Sequence, residues 1–228
     1  MKPYVTVVLT LLISLGTSRA STIFSNFGAT PPGYVADSYE MKAFDGIFGS
    51  EQSQWAMSFT VPNGSNFLFT GFDVPLTFAG TTTTVDFTLA SDAGGAPGVA
   101  LETIGIALSN GTAIYSGSSS LHPDLIAGTS YWLEAAIPLS FVGTEADWNA
   151  ASGLFSGMAL GPVAFRSPPL PLNWQVTTNS QAAFEIDGTA VPEPRYAWVM
   201  VFGCLLAGRR AFRLYRSSRV YRVPASQR

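Results

Sequence analysis

The segment Trp55-Ala56-Met57-Ser58-Phe59-Thr60-Val61 places a large apolar residue at every second position. Side chains of a β-strand point alternately to opposite faces of its sheet, so this spacing predicts a strand with one buried face. The same period recurs at 72–78 and 85–89, and Pro75 indicates an edge strand because proline has no N–H to donate to a ladder. Shorter apolar runs follow at 104–108, 131–135, 163–165, 174–176 and 184–186.

Turn-forming residues separate these runs. Gly, Pro, Asn and Asp, which tolerate tight or left-handed backbone, cluster at 62–64, 92–98, 110–111 and 187–188. Within the body of the chain, only 145–151 is interpreted as helical, over one or two turns. Many short strands with regular turns predict an all-β fold, and we expect a single β-sandwich or jelly-roll-like domain over residues 21–190.

Charge is distributed unequally along the chain. All 15 acidic residues and only two basic ones, Lys42 and Arg166, lie in residues 21–194, which gives this region a net charge of −13. Eight arginines lie beyond residue 194. Nucleic acid is therefore excluded as a partner of the body, since binding to phosphates requires a basic surface. The one cysteine, Cys204, lies outside the body, which consequently forms no disulfide of its own.

The N-terminus has the pattern of an export signal. Lys2 supplies a positive start, 5–15 is an apolar run, and small residues precede a predicted cleavage point between Ala20 and Ser21. Charge, apolar run and small residues in this order predict a signal peptide, 1–20, that signal peptidase removes.

The C-terminal segment has a second signal. Val191-Pro192-Glu193-Pro194 precedes an apolar run at 196–208, which Arg209 and Arg210 follow directly. As a helix this run is about 20 Å long. We extend the helix to about 196–215, with its arginines snorkelling towards water. Arginines beyond a membrane helix hold that end in the cytoplasm, so the body is expected on the other side.

These C-terminal residues resemble the PEP-CTERM sorting signal of exopolysaccharide-producing Gram-negative bacteria. The resemblance implies that an exosortase, a membrane-embedded enzyme, recognises Pro192-Glu193-Pro194. It implies that 196–208 is a transient anchor in the inner membrane and that Arg209-Arg210 is the stop. The whole of 191–228 is then a sorting and anchor segment, and the body is delivered to the cell surface or the extracellular space.

The body is similar to the choice-of-anchor R domain. The residues that carry the similarity are Phe87-Thr88-Leu89-Ala90-Ser91-Asp92 with the glycine-rich turn up to Gly98, Leu101-Glu102-Thr103, Ser120-Leu121-His122-Pro123, and Ala127-Gly128-Thr129-Ser130-Tyr131-Trp132-Leu133. That family implies an extracellular all-β domain with no assigned activity.

Candidate catalytic and metal-binding residues are few. His122 is the only histidine, and no Gly-x-Ser-x-Gly motif is present, so we predict no catalytic residue and no enzymatic activity. Ligands for a zinc site are lacking, and we predict no metal site of defined spacing. Calcium is the one cofactor kept as an alternative, because carboxylates are the ligands that it prefers. Its candidate ligands are Asp86, Asp92, Glu102, Asp124, Glu145 and Asp147.

Two tryptophans have polar neighbours in the sequence. Trp148 lies between Asp147 and Asn149, and Trp174 lies between Asn173 and Gln175. An exposed indole ring can stack on the apolar face of a sugar, so these two are candidate glycan contacts. Packing in the core is the alternative for each.

Taken together, these patterns predict an exported, exosortase-sorted protein of the cell surface or the exopolysaccharide and biofilm matrix, without enzymatic activity. Its expected partners are signal peptidase, exosortase, the inner membrane in transit, and exopolysaccharide. Two alternatives stay open: a carbohydrate-binding module that uses exposed tryptophans, and a secreted hydrolase that uses paired carboxylates.

Overall fold

The computed structural model describes residues 20–28, 34–46, 49–151, 161–167 and 173–191. These residues form an all-β domain in which every pairing is antiparallel. The strands are β1 (Ser21–Ser25), β2 (Tyr34–Gly46), β3 (Gly49–Thr60), β4 (Phe67–Phe78), β5 (Thr83–Asp92), β6 (Pro97–Leu108), β7 (Gly111–Ser118), β8 (Asp124–Leu125), β9 (Ser130–Ala136), β10 (Thr144–Ala151), β11 (Gly161–Arg166), β12 (Gln175–Asn179) and β13 (Glu185–Ala190). A single 3-10 turn, Leu139–Phe141, lies between β9 and β10.

The all-β prediction is confirmed, and each alternating run overlaps a strand. The helix predicted at 145–151 is wrong, because these residues form β10 between β2 and β4. Residues 145–148 have the period of two of a half-buried strand, since exposed Glu145 and intermediate Asp147 alternate with buried Ala146 and Trp148, whereas all of 148–151 is buried. The polar residues between them dilute its mean hydropathy and hide this period.

The edge-strand prediction from Pro75 is also wrong, since β4 is paired along both sides. One side of β4 pairs with β7 and β8, and the other pairs first with β13 and then with β10. Pro75 lies where this second side changes partner, between Asp73, the last residue that β13 pairs, and Leu76, the first that β10 pairs. A residue without an N–H is tolerated there because neither ladder extends to it.

The strands form one curled sheet, and β3 joins its two halves. The first half runs β1-β13-β4-β10-β2-β3, and the second runs β3-β9-β5-β6. Residues 49–53 of β3 pair with β2, whereas residues 54–60 pair with β9. β11 pairs with 54–57 of β3 on the edge opposite to β9, and β12 pairs with β11.

Aromatic rings fill the space between the two halves. Phe72 of β4 and Phe87 of β5 are not on paired strands, yet their ring centroids are 5.0 Å apart. Phe87 also meets the edge of Trp148 at 5.3 Å, and Trp148 meets Phe184 at 6.0 Å. The two contacts of Phe87 cross from one half of the sheet to the other, so the curl encloses a sandwich-like core.

The chain divides into two units, Met1–Ala190 and Val191–Arg228. The predicted membrane helix, 196–215, and all but the last residue of the predicted signal peptide lie outside the described residues. In the ranges that the structure describes, we find no helix with the length and apolar character needed to span a bilayer.

Phe87 is the most sensitive position for a test of the core. We expect Phe87→Ala to lower the free energy of unfolding by about 3–5 kcal/mol, since it removes a fully buried ring and leaves a cavity between the halves. Denaturant unfolding followed by tryptophan fluorescence measures the change. Ile114→Ala, at a half-exposed site on β7, is the control and should cost less than about 1 kcal/mol. An equal loss in both variants would contradict the face-to-face packing.

Candidate functional site

The two predicted processing points lie beside paired terminal strands. Ala20 and Ser21 are exposed, and Ser21 is the first residue of β1. Val191 directly follows the last residue of β13. β1 and β13 pair with each other, and Ser21 lies opposite Gly188, three residues before Val191. Pro192-Glu193-Pro194, Arg209 and Arg210 lie outside the described residues.

A buried asparagine fixes the point where β1 leaves the sheet. The side-chain amide of Asn26 accepts a hydrogen bond from the N–H of Phe184 at 2.7 Å and donates one to the carbonyl of Ala182 at 2.9 Å. Its own N–H donates to the carbonyl of Phe184 at 3.2 Å. Ile23 is buried between these contacts and the core. The N-terminal strand is therefore held by side-chain and backbone bonds, which the sequence analysis did not predict.

Trp148 is not a glycan contact, so this prediction is wrong. Its side chain is fully buried, and its indole N–H donates to the carbonyl of Ala183 at 2.8 Å. Asp147 and Asn149, the polar neighbours that indicated exposure, belong to the alternate positions of the same strand. In a strand, polar neighbours on both sides are the expected flanks of an inward-facing residue.

Trp174 is half-buried and partly covered. The guanidinium of Arg166 lies 4.3 Å from the ring centroid, and the ring packs against a small buried cluster around Trp132. The Nε of Arg166 donates to the side-chain carbonyl of Gln54, and its Nη2 lies 4.0 Å from a carboxylate oxygen of Glu134. A sugar could stack only on the ring area that Arg166 leaves uncovered.

Two carboxylates on the second half have raised pKa values. Burial raises the pKa of Asp86, and burial also raises the pKa of Glu134, where the charge of Arg166 opposes the effect. Asp86 faces Ala136 and Glu134 faces Thr88, so the two lie at diagonal positions on neighbouring strands, about 7–8 Å apart at Cα. Desolvation is the cause of the shift at Asp86 and the largest cause of the shift at Glu134.

Glu102 organises the loop that contains the only histidine. Its carboxylate accepts hydrogen bonds from the hydroxyl of Ser119, from the N–H and hydroxyl of Ser120, and from the N–H of Leu121 at 3.1 Å. Burial by itself would raise the pKa of Glu102, but these four donors outweigh it and hold the pKa below its usual range. The carboxylate thus stays ionised and acts as an anchor for the loop.

His122 is tied into the same loop. Its backbone has a φ of 48°, its N–H donates to the hydroxyl of Ser119 at 2.9 Å, and its Nδ1 lies 3.1 Å from the carbonyl of Phe69. Because a carbonyl can only accept, Nδ1 carries the proton in this contact. The hydroxyl of Ser119 points to Glu102 and not to the imidazole, so these residues do not form a Ser-His-acid relay.

Three carboxylates that the sequence analysis did not group converge on the first half. Oxygens of Asp73, Glu185 and Asp187 lie within 4.8 Å of one another, because Asp73 faces Glu185 across the β4–β13 ladder. The hydroxyl of Thr22 donates to Glu185 at 2.9 Å. Burial and the charges of Glu185 and Asp73 raise the pKa of Asp187. Such oxygens could hold a hard cation, but calcium takes roughly six to eight of them.

The six predicted calcium ligands do not share this cluster. Glu145 pairs with Lys42 at 3.3 Å, and Asp147 accepts from Ser38 at 3.0 Å. Asp92 accepts from the indole of Trp132 at 2.8 Å and from the N–H of Gly95 at 3.0 Å, and the second bond closes the turn after β5.

Comparisons with protein-family models and with curated proteins find no match to this chain.

The Glu102 anchor has a defined dependence on pH. We expect Glu102→Gln to lower the free energy of unfolding by about 1–3 kcal/mol at pH 7, since buried donors lose a charged acceptor. The folded pKa is depressed, so the stabilisation by Glu102 is complete above its unfolded value of about 4.3 and is lost as the pH falls through the folded value. The difference between wild type and variant should therefore shrink below about pH 4 in denaturant titrations. Glu145→Gln, whose parent side chain is 65% exposed, is the control and should change little at either pH.

The acidic cluster of Asp73, Glu185 and Asp187 has the opposite dependence of stability on pH. Because the folded pKa of Asp187 is raised, its charge destabilises the fold above that pKa and no longer does so below the unfolded value of about 3.9. We expect Asp187→Asn to raise the free energy of unfolding by about 0.5–1 kcal/mol at pH 7 and to have no effect near pH 3. Asp124→Asn, at an exposed site, is the matched control. A destabilised Asp187→Asn protein at pH 7 would contradict this account, since the hydrogen bond from Thr22 to Asp187 would then outweigh the repulsion.

Proposed function

We propose that the chain is an exported, non-enzymatic β domain that is processed at both ends and delivered to the surface or matrix of a polysaccharide-producing bacterium. Signal peptidase would cut between Ala20 and Ser21, and an exosortase would act at Pro192-Glu193-Pro194. The observation that carries the proposal is the position of the terminal strands. β1 begins at the first cut and β13 ends two residues before the second motif.

This arrangement lets both signals be removed without loss of a strand. Cleavage after Ala20 leaves β1 whole, with Ser21 opposite Gly188 in the ladder. Cleavage at the Pro-Glu-Pro motif leaves β13 whole, and β13 is paired on both sides, with β1 and with β4. The thirteen strands therefore belong to the product rather than to the removed segments. A signal that overlapped a core strand would unfold the domain as it was cut.

Charge supports the same topology. The body has a net charge of −13, and the segment beyond residue 194 holds eight arginines. A helix at 196–215 that carries these arginines to its cytoplasmic side would leave the acidic body outside. The inner membrane would then hold the precursor until the exosortase releases the body to the exopolysaccharide. We also interpret the curled sheet as jelly-roll-like, an architecture that keeps an exported domain compact without disulfides.

Carbohydrate binding is the second candidate function, and it depends on the ring of Trp174 alone of the two predicted contacts. Trp148 is excluded by burial, and Trp174 retains part of its surface beside Arg166 and Gln54. A tryptophan flanked by polar donors and acceptors is the usual composition of a sugar subsite. The cation over one face of the ring leaves less area for stacking, so we place this candidate below the first.

The order of processing provides a direct test. In a host that contains an exosortase, we expect the wild-type product to begin at Ser21 and to end near Pro192–Pro194, as intact-mass spectrometry of surface and medium fractions would show. Replacing Pro192, Glu193 and Pro194 by alanine should leave the N-terminal cut unchanged and make a membrane-bound chain ending at Arg228 accumulate.

The matched control is Pro62→Ala, which removes an exposed proline from the β3–β4 turn and should be processed like wild type. The proposal is contradicted if the alanine variant is released at the wild-type rate, or if the wild-type chain keeps Arg228 in the presence of the exosortase.

A further inference from the structure

Four exposed aliphatic side chains lie at one end of the described domain. Val99 is 72% exposed and Leu121 is 68% exposed, the two highest values among the large apolar residues that are exposed. Ile126 at 46% and Leu68 at 37% accompany them. Exposed apolar residues scattered singly over a surface are ordinary, whereas several at one end of a domain indicate an interaction site.

The ladders place these residues at the same end. Leu68 faces Asp124, and Ile126 follows Leu125, which faces Phe67. The N–H of Leu121 is bound to Glu102 of β6, and Val99 lies on β6 between Glu102 and the turn at that end. We call this the exit end and define it by its four loops: 61–66, 93–96, 119–123 and 126–129.

The chain also leaves the domain at the exit end. Ala190, the last residue of β13, faces Phe67, the first residue of β4. Only five residues, 191–195, separate it from the apolar run that begins at Tyr196. Even fully extended, five residues span at most about 18 Å. A bilayer that holds 196–208 is therefore within reach of the exit end.

We propose that the exit end docks on the lipid bilayer, with Val99, Leu121, Ile126 and Leu68 inserted at the interface. This rests on the proposed function, in which 196–208 is a membrane anchor. We assign a lipid surface as the partner because the four side chains are aliphatic and because the segment 191–195 connects this end to the proposed anchor. The 3-10 turn Leu139–Phe141 follows the last residue of β9, whereas the exit-end loop 126–129 precedes the first, so the turn marks the opposite end of that strand.

Charge indicates how the contact is made. The only basic residues in 21–190 are Lys42 and Arg166, and neither belongs to the exit end: Lys42 faces Ser53 and Arg166 faces Gln54. Attraction to anionic head groups is thus not available, and docking depends on apolar insertion. Added salt should therefore not weaken binding, in contrast to that of a polybasic surface, because it only screens the repulsion between the acidic body and anionic head groups.

A probe at each end of the domain tests the docking. The precursor is produced in a host without exosortase, with Cys204→Ala so that one introduced cysteine is unique. Leu121→Cys and Leu139→Cys, both at exposed leucines, carry an environment-sensitive nitrobenzoxadiazole probe. The protein is reconstituted into vesicles of phosphatidylethanolamine and phosphatidylglycerol with lipid-borne quenchers. We expect blue-shifted emission and several-fold stronger lipid quenching at 121, and water-like emission at 139.

A second variant tests whether the emission of the probe at 121 depends on the neighbouring apolar side chains. Val99→Ser with Ile126→Ser should return the 121 probe towards water-like emission, while circular dichroism shows an unchanged β fold. If the protein floats with the vesicles but the probes at 121 and 139 show the same emission and quenching, the docking proposal is wrong and the proposal that 196–208 is a membrane anchor is retained. If the chain does not float with vesicles, the anchor of the proposed function fails, and the docking that rests on it fails too.

Discussion

The contact of Phe87 with Phe72 and Trp148 is the interaction on which the remaining structure depends. Residues 21–190 contain no cysteine, so no disulfide holds the halves of the sheet together. The aromatic core must supply the apolar burial that offsets the conformational entropy of ordering many short strands. β4, which supplies Phe72, has partners on both sides, and β13 and β1 are positioned by pairing to it in turn.

The sequence predicts the strands whose apolar residues are large and regular. The runs around Phe59, Phe72 and Phe87 fall in β3, β4 and β5 because one face of each is fully apolar. The helix assigned to 145–151 failed because alanines at two of its inward positions weaken the period. β1 was not identified at all, since its place depends on Asn26, whose partners lie more than 150 residues away.

The polar clusters could not be read from the sequence for a related reason. Asp73 and Glu185 are far apart in the chain and meet only through the register of β4 with β13. Glu102 became an anchor because it faces a loop whose N–H groups need an acceptor. The polar neighbours of Trp148 in the sequence suggest an exposed ring, but in a strand these neighbours lie on the face opposite to it. Pairing, not composition, determines each of these environments.

The functional account follows from the same pairing. Because β1 and β13 are neighbours, Ser21 and Ala190 lie near each other at the exit end, next in sequence to the two predicted export signals. The most direct measurement is protease treatment of spheroplasts from cells that make the precursor. The account predicts that protease outside the cell cuts the tether after residue 190 and releases a resistant fragment beginning at Ser21. A chain protected until the cells are lysed, or one cut within its strands, would contradict it.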